Sequence, residues 1–344
     1  DRAQTVLGQA PLFHEGDLRD YALVERVLTT FKPDTVVHLA EMPSAPFSMI
    51  DREHAIETHD NNLVGTLNLI YGIRDHCPHV HLLKLGTMGE YGTPNIDIPE
   101  GFFEVEFRGR KDVLPFPRQP FSMYHLTKVH DSNNIQFACK VWGLRSTDIM
   151  QGVVFGTRLD AMQGDPGLAT RFDFDEAFGT AINRFCAQAV IGQPLTPYGK
   201  GGQTRGFLPL RDSIQCFTLA IENPPEAGEY RVFNQFEETY SVYDLANMVA
   251  EVARDLGLAA TVRPLENPRI EREEHYFKPD HAKLLDLGYQ PNHDIKGEMA
   301  LAIKDLIPHR ARIQAHMKAI TPAIHWNGPR ETCHYLVGKE SRSA

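Results

Sequence analysis

The sequence predicts an α/β fold: a doubly wound parallel sheet followed by a smaller α/β unit. Three observations carry this. Short apolar runs at 35–40 and 80–85 have the length and composition of buried strands. Segments of helical periodicity at 21–30, 54–75 and 122–142 separate these runs from each other and from a further strand at 145–149. Polar or glycine-rich turns stand where the strands end. Strands alternating with helices require parallel pairing through right-handed crossovers, and ligands of such sheets sit beyond the carboxyl ends of the strands. Leu39-Ala40, Thr87 and Met150-Gln151 all fall at that edge.

Bulk composition narrows the class. With 344 residues, 42% hydrophobic and 23% charged, the chain is globular, of one large or two domains. A net charge of −10 without a basic run argues against nucleic acid as the partner. The 5 cysteines are odd in number and scattered, with no Cys-x-x-Cys, so neither a disulfide framework nor a zinc site is indicated, and a reducing, cytoplasmic compartment is expected. No run approaches the ~18 apolar residues of a membrane helix. The 16 histidines are dispersed. His79 and His81 alternate with Val80 and Leu82, as structural or exposed residues at a strand start, and no metal site is expected.

In chain order, Gly16-Asp17 precedes the helix at 21–30, where Asp17 has the place of an N-cap and also of an acceptor for an adenine amino group. In the helix at 54–75, small Gly65 lets the backbone press close to the sheet. The strand at 80–85 ends in Gly86-Thr87-Met88-Gly89-Glu90-Tyr91-Gly92. Tyr124-His125-Leu126-Thr127-Lys128 then opens the helix at 122–142. Tyr124 and Lys128, at i and i+4, share one face a turn apart. An ammonium there favours phenolate and lowers the phenol from its usual value of about 10, so Tyr124 is expected to act as a base near neutrality. The Thr87 hydroxyl shares or relays that proton.

Beyond 173 the composition changes. Residues 176–192 are amphipathic, with Phe178, Ile182, Phe185 and Ala189 as a core stripe and Asn183, Arg184 and Gln188 facing outward. The glycine-rich loop at 194–207, carrying Tyr198, Lys200, Gln203 and Arg205, reads either as a phosphate-wrapping loop with Arg205 as a forked clamp or as a surface hairpin. A strand ends near Gln235, 242–256 forms an amphipathic helix, and Arg269 offers a second cation for a diphosphate. The expected organisation is a sheet domain over 1–152, a second domain over 153–311 with 206–216 returning to the first, and a C-terminal arm over 312–344. The arm shows no chemistry of its own. Trp326 and the polar tail read as an interaction arm or as disordered.

Thr87 followed by Tyr124-x-x-x-Lys128 resembles the active-site constellation of the short-chain dehydrogenase/reductase superfamily, in its extended, nucleotide-sugar-modifying branch. Longer words at matching spacing resemble one family, UDP-sulfoquinovose synthase: Ser44 to Asp51, Thr87 to Asn95, Tyr124 to Ser132, Tyr198 to Gly206 and Arg231 to Phe236. The resemblance runs from Gly16 to about Gly288. It implies a Rossmann-type sheet, whose Gly-x-Gly-x-x-Gly turn does not occur before Asp17, so a first βαβ unit is expected to be missing from this sequence.

The resemblance also implies tightly held NAD and conversion of UDP-glucose and sulfite to UDP-sulfoquinovose through 4-keto and 4-keto-5,6-ene sugars. Sulfite would come free or from a sulfite-donating protein. The catalytic set would be Thr87, Tyr124 and Lys128, with Glu90 and His125 deprotonating C5 and protonating O6. Cofactor contacts would come from Asp17, Leu18, Leu39, Ala40, Asn61, Leu85, Tyr124, Lys128, Gln151 and Val153. Substrate contacts would come from Thr87, Gly89, Gln151, Thr180, Asn183, Tyr198, Gln203, Arg205, Gln235 and Arg269. A homodimer through the helices at 122–142 and 54–75 is implied, located in the chloroplast stroma for a plant protein.

Where 4,6-dehydratases carry Asp-Glu after the Thr, this chain has Met88-Gly89, and small Gly89 is expected to leave room for sulfite. Two positions depart from the family: Met42-Pro43 replaces Gln-Arg, and Met150 replaces Asn. Both remove polar groups expected near the cleft. A related UDP-sugar 4,6- or 5,6-dehydratase or 4-epimerase, using another nucleotide sugar or nucleophile, is the alternative. Retention of Thr87, Tyr124 and Lys128 speaks against a degenerate binding subunit.

Overall fold

The structure, a computed structural model, describes residues 2–326 apart from 163, 270, 273 and 322. Its strands are β1 (Thr35–His38), β2 (His81–Thr87), β3 (Phe102–Phe107), β4 (Arg110–Pro115), β5 (Arg145–Gln151), β6 (Val153–Phe155), β7 (Thr204–Pro209), β8 (Tyr230–Gln235) and β9 (Glu238–Ser241). A four-stranded parallel sheet has the order β1-β2-β5-β8. Its register sets Thr87 opposite Gln151 and Gln151 opposite Gln235, so three polar residues meet at one carboxyl edge. A second sheet runs β6-β7-β9. The β3–β4 hairpin, which the sequence patterning did not reveal, pairs antiparallel on its own.

Caps fix where the helices begin. Asp20, not Asp17, caps the helix Tyr21–Phe31 by accepting from the Ala22 amide. Asp17 instead accepts from the Arg19 amide at 2.8 Å and pairs with its guanidinium. The helix expected over 54–75 is three pieces: Arg52–His59, a wide π-turn at Asp60–Val64 and Gly65–His76. Such a turn inserts a residue and re-aims its neighbours, here Asn61 and Asn62. Gly65 faces not the sheet but Leu18, whose Cβ would lie 3.2 Å from an added methyl. Helix Met123–Trp142 starts at Ser122, whose Oγ accepts from the His125 amide at 3.1 Å, and ends at Gly143 with φ 73°.

The second core gathers Ile182, Phe185, Leu245, Val249, Met299 and Ile303 from the helices Ala181–Ile191, Val242–Asp255 and Ile295–Leu306. The first of these begins later than expected, because Thr180 caps it and Phe178 lies in the preceding turn, 37% exposed. Arg184 and Gln188 are buried rather than outward, because their polar ends find partners inside. Arg184 holds the Tyr198 hydroxyl and the Thr196 carbonyl, and Gln188 closes two hydrogen bonds with Thr196. Ile313 and Ile320 pack into this same core, so part of the expected arm belongs to it. Helix Leu210–Glu222 packs through Cys216 and Ala220 on Leu83, Ile149 and Phe233 of the first sheet. The described cysteines Cys77, Cys139, Cys186 and Cys216 are buried and free, while Cys333 lies outside the described residues. Among the described residues no helix is long and apolar enough to cross a membrane, and no group of three or more His, Cys, Asp or Glu side chains could hold a metal.

Candidate functional site

Two hollows lie along the carboxyl edge of the sheet. One, a cavity of about 220 Å³, is lined by Thr87, Gly89, His125, Gln151, Val153, Arg205, Arg269 and Trp326, among others. The other opens beyond β1 between Gly16, Asp17, Leu18, Ala40, Glu41 and Asn61. Tyr124 and Lys128 stand on the first turns of helix Met123–Trp142.

The Tyr–Lys pair faces as expected but is electrostatically different. Lys128 Nζ lies 5.8 Å from the Tyr124 ring centroid. Its charge is answered by Glu41, with Nζ 2.7 Å from Oε1, and it also donates to the Leu85 carbonyl at 2.5 Å. Both side chains of the ion pair are almost wholly buried. The Tyr124 phenol is pushed up, not down: burial is the larger cause, and the Glu41 charge adds to it. The expected lowering by Lys128 does not arise in this state, because Glu41 neutralises the ammonium that would produce it. Asn62 welds the loop after β1 to the helix, accepting from the Met42 amide at 2.7 Å and donating to Thr127 Oγ1 at 2.9 Å. The Tyr124 amide donates to Ser48 Oγ at 3.0 Å.

His125 and Glu90, grouped by sequence, part company. His125 lines the cavity, with Nδ1 3.0 Å from Ser122 Oγ. Burial, and then the cations Arg205 and Arg269, hold its pKa down to about 3, so the imidazole is neutral across the physiological range. Its Nε2 fills the space beside Gly89, where an added Cβ would lie only 2.4 Å away. Gly89 therefore makes room for the imidazole, and it lines the cavity beside it. Glu90 is fully buried and turned away from the cavity, paired with Lys84 at 3.3 Å and Arg118 at 3.1 Å. A carboxylate pinned between two cations is not free to serve as an acid or base.

On the opposite wall, Arg205 pairs with Glu271 at 2.6 Å, and Arg269 reaches both the main cavity and a small adjoining one lined by Tyr198 and Gln203. Among the described residues the buried Gln203 amide finds no hydrogen-bond partner on either atom. Gln151 donates to Gln235 at 2.9 Å and Ser213 at 3.2 Å; Gln235, fully buried, backs it without lining the cavity. Thr180 is a helix cap, and Asn183 donates to the Asp173 carbonyl at 3.0 Å, so neither reaches the main cavity. Leu39 is exposed, and Leu85 contributes its carbonyl to Lys128. Met150 is fully buried and packs beside Gly86, so its replacement of an Asn strips nothing from the cavity wall. Pro43 is exposed and does not line the cavity.

The model of the NAD dependent epimerase/dehydratase family matches residues 2–234. The chain belongs to that family. It is 49% identical over 325 residues to the chloroplastic UDP-sulfoquinovose synthase of Spinacia oleracea, an alignment covering 94% of this chain and 67% of that protein. It is 46% identical over 329 residues to the UDP-sulfoquinovose synthase of Sulfolobus acidocaldarius, covering 95% and 84%. Among solved structures, the UDP-glucose 4-epimerase of Thermotoga maritima with UDP-glucose superposes with a TM-score of 0.68 at 20% identity, over 87% of this chain and 85% of that one. The dTDP-glucose 4,6-dehydratase DesIV of Streptomyces venezuelae, in a structure with NAD bound, gives 0.65 at 19% identity, over 87% and 80%. At these identities the structural likeness shows the extended, Rossmann-type fold.

For a family named for NAD, the hollow beyond β1 has fitting chemistry. Asp17 and Asn61 offer an acceptor and an amide to ribose hydroxyls or an adenine amino group, and the Glu41–Lys128 pair forms the boundary toward Tyr124. That pair can be tested without any ligand. Glu41→Gln leaves a buried ammonium short of its counter-charge and should cost roughly 3 kcal/mol in urea unfolding. Adding Lys128→Met should restore most of that loss. A double variant no more stable than the single would show the two groups to be uncoupled.

Proposed function

We propose that the chain converts UDP-glucose and sulfite to UDP-sulfoquinovose. The observation that carries this is the convergence of Thr87, His125 and two arginines around one cavity, at the start of the helix that bears Tyr124 and Lys128, in a chain 46–49% identical to enzymes bearing that name. Thr87 and Tyr124 receive the 4-hydroxyl of the sugar; Tyr124 first gives up its own proton, and the phenolate oxygen takes the hydroxyl proton as C4 is oxidised. NAD, when bound, is the acceptor of the C4 hydride and later its donor. Lys128 and Glu41 set the field in which that phenol ionises. A C4 ketone acidifies C5–H, and the neutral His125 imidazole is placed to take that proton and hand it to the 6-hydroxyl, which departs as water. Sulfite then adds to C6 of the enone. Arg205 and Arg269 hold the diphosphate, and the cavity joining Tyr198 to Gln203 takes the adjoining part of the nucleotide.

The alternative reading stops at the dehydrated or epimerised sugar, and isotopes separate the two. Full-length enzyme given UDP-glucose and 35S-sulfite should yield a sulfonated UDP-sugar, and Tyr124→Phe should lower turnover by at least ~10²-fold. Solvent deuterium entering C5 without sulfur incorporation would instead identify a dehydratase.

Gly89→Ala tests the imidazole separately. The new methyl must displace the His125 ring. C4 oxidation, seen as transient absorbance near 340 nm, should survive while deuterium exchange at C5 slows by ~10²-fold. Equal slowing of both steps would remove His125 from the C5 role.

Assembly as a homodimer belongs to the same proposal. Tyr71, Phe137 and Val141 stand 40–56% exposed on helices Gly65–His76 and Met123–Trp142. Tyr71 and Phe137 both pack edge-on against Trp142. Light scattering should give twice the chain mass, and Phe137→Glu should halve it. A monomeric wild-type protein would refute this.

A further inference from the structure

The C-terminal segment, without assigned chemistry in the sequence, returns to the active-site cavity and is tied there at several points. The Glu176 carboxylate accepts from the backbone amides of Ala323 at 2.7 Å and Ile324 at 2.6 Å. The Glu176 amide donates to the Ala319 carbonyl at 2.8 Å, and the Trp326 amide donates to the Pro268 carbonyl at 2.9 Å. Trp326 is only 8% exposed, and its side chain forms part of the wall that Gly89, His125 and Arg269 also line.

Arg269 is the group this wall controls. Its guanidinium carbon lies 5.2 Å from the Trp326 ring centroid and 5.6 Å from that of Tyr198. Among the described residues no carboxylate pairs with it, whereas Arg205 of the same cavity is held by Glu271. A guanidinium held against two aromatic faces keeps its charge and loses rotamer freedom, leaving N–H edges oriented for a bidentate oxyanion. A surface arginine would bring the same charge but would have to be ordered when ligand arrives.

We propose that Trp326 is a positioning residue for nucleotide-sugar binding. It fixes Arg269 for the diphosphate and completes the cavity wall, which makes Trp326, with its anchors at Ala323 and Ile324, part of the substrate site. This rests on the nucleotide-sugar reading above, and UDP as a probe separates the two. Calorimetry on the full-length chain should show UDP binding to wild type and about tenfold weaker binding to Trp326→Ala, the size of a desolvated cation–π contact. Trp326→Phe should regain most of the loss. KM for the UDP-sugar should rise in Trp326→Ala far more than kcat falls. Glu176→Gln, which loosens the anchor and leaves the indole and guanidinium in the chain, should weaken UDP in the same direction.

The sequence holds 2 tryptophans, so Trp142→Phe leaves Trp326 as the sole indole, and its emission should change on saturation with UDP. Equal affinity of wild type and Trp326→Ala, or an emission unmoved by saturating UDP, overturns the inference and leaves the reading intact. Should Trp326→Ala fail to fold, Glu176→Gln and the emission decide. A wild-type protein that binds neither UDP nor UDP-glucose overturns both.

Discussion

One buried ammonium holds the catalytic elements in register. Lys128 comes from the helix Met123–Trp142, Glu41 from the loop after β1 and the Leu85 carbonyl from β2, and they meet at 2.7 and 2.5 Å. Desolvating two charges costs several kcal/mol each, and their attraction offsets this only when the geometry is close. An ammonium in such a place is satisfied at one arrangement of helix, loop and strand. The same contact sets the chemistry of the neighbouring phenol. With the lysine neutralised and the phenol buried, Tyr124 rests protonated. Whatever releases Lys128 from Glu41 makes the phenolate easier to form.

A second layer lies beneath the first and explains why Glu90 takes no part in the cavity. Lys84, fully buried on β2, donates to the Lys128 carbonyl at 3.1 Å and Ser132 Oγ at 2.7 Å, and it lies 3.3 Å from Glu90 and 3.5 Å from Asp148. Burial alone would raise the Asp148 carboxyl, but Lys84 and Arg118 outweigh it and hold the group below its usual range. Glu90 and Asp148 are thus the counter-charges that let a lysine and an arginine sit under the active helix. Freeing Glu90 for proton transfer would take from Arg118 its paired carboxylate and leave Lys84 with Asp148 alone.

How much of this was legible follows from what each residue depends on. Thr87, Tyr124 and Lys128 were readable because their relation is local: a strand end, a helix start and one turn of spacing. The strand run at 80–85 was readable because both faces of β2 are covered, which leaves an unbroken apolar word. Arg184 and Gln188 misled because periodicity registers polarity and not partners, and both find theirs in Thr196 and Tyr198. Glu41 carried no local sign that it would meet Lys128. Trp326 lies far in sequence from Arg269, so only tertiary packing joins them. The π-turn at Asp60–Val64 hides inside a helical pattern, because the extra residue it inserts does not alter composition.

The exchange of carboxylates for Met88, Gly89 and an imidazole has an electrostatic logic when the nucleophile is itself an anion. A carboxylate about 4 Å from a singly charged anion costs roughly 4 kcal/mol at an effective dielectric of about 20, and a dianion doubles that. An Asp-Glu pair in these slots would oppose the sulfite of the proposed reaction as it approached C6. His125 instead occupies the space beside Gly89 as a neutral base. Glu271, the carboxylate of the cavity wall, is already paired with Arg205, and Arg269 pairs with no carboxylate among the described residues. The cavity can therefore take a proton from carbon without presenting uncompensated negative charge. Water, the nucleophile a dehydratase expels and does not readmit, needs no such provision.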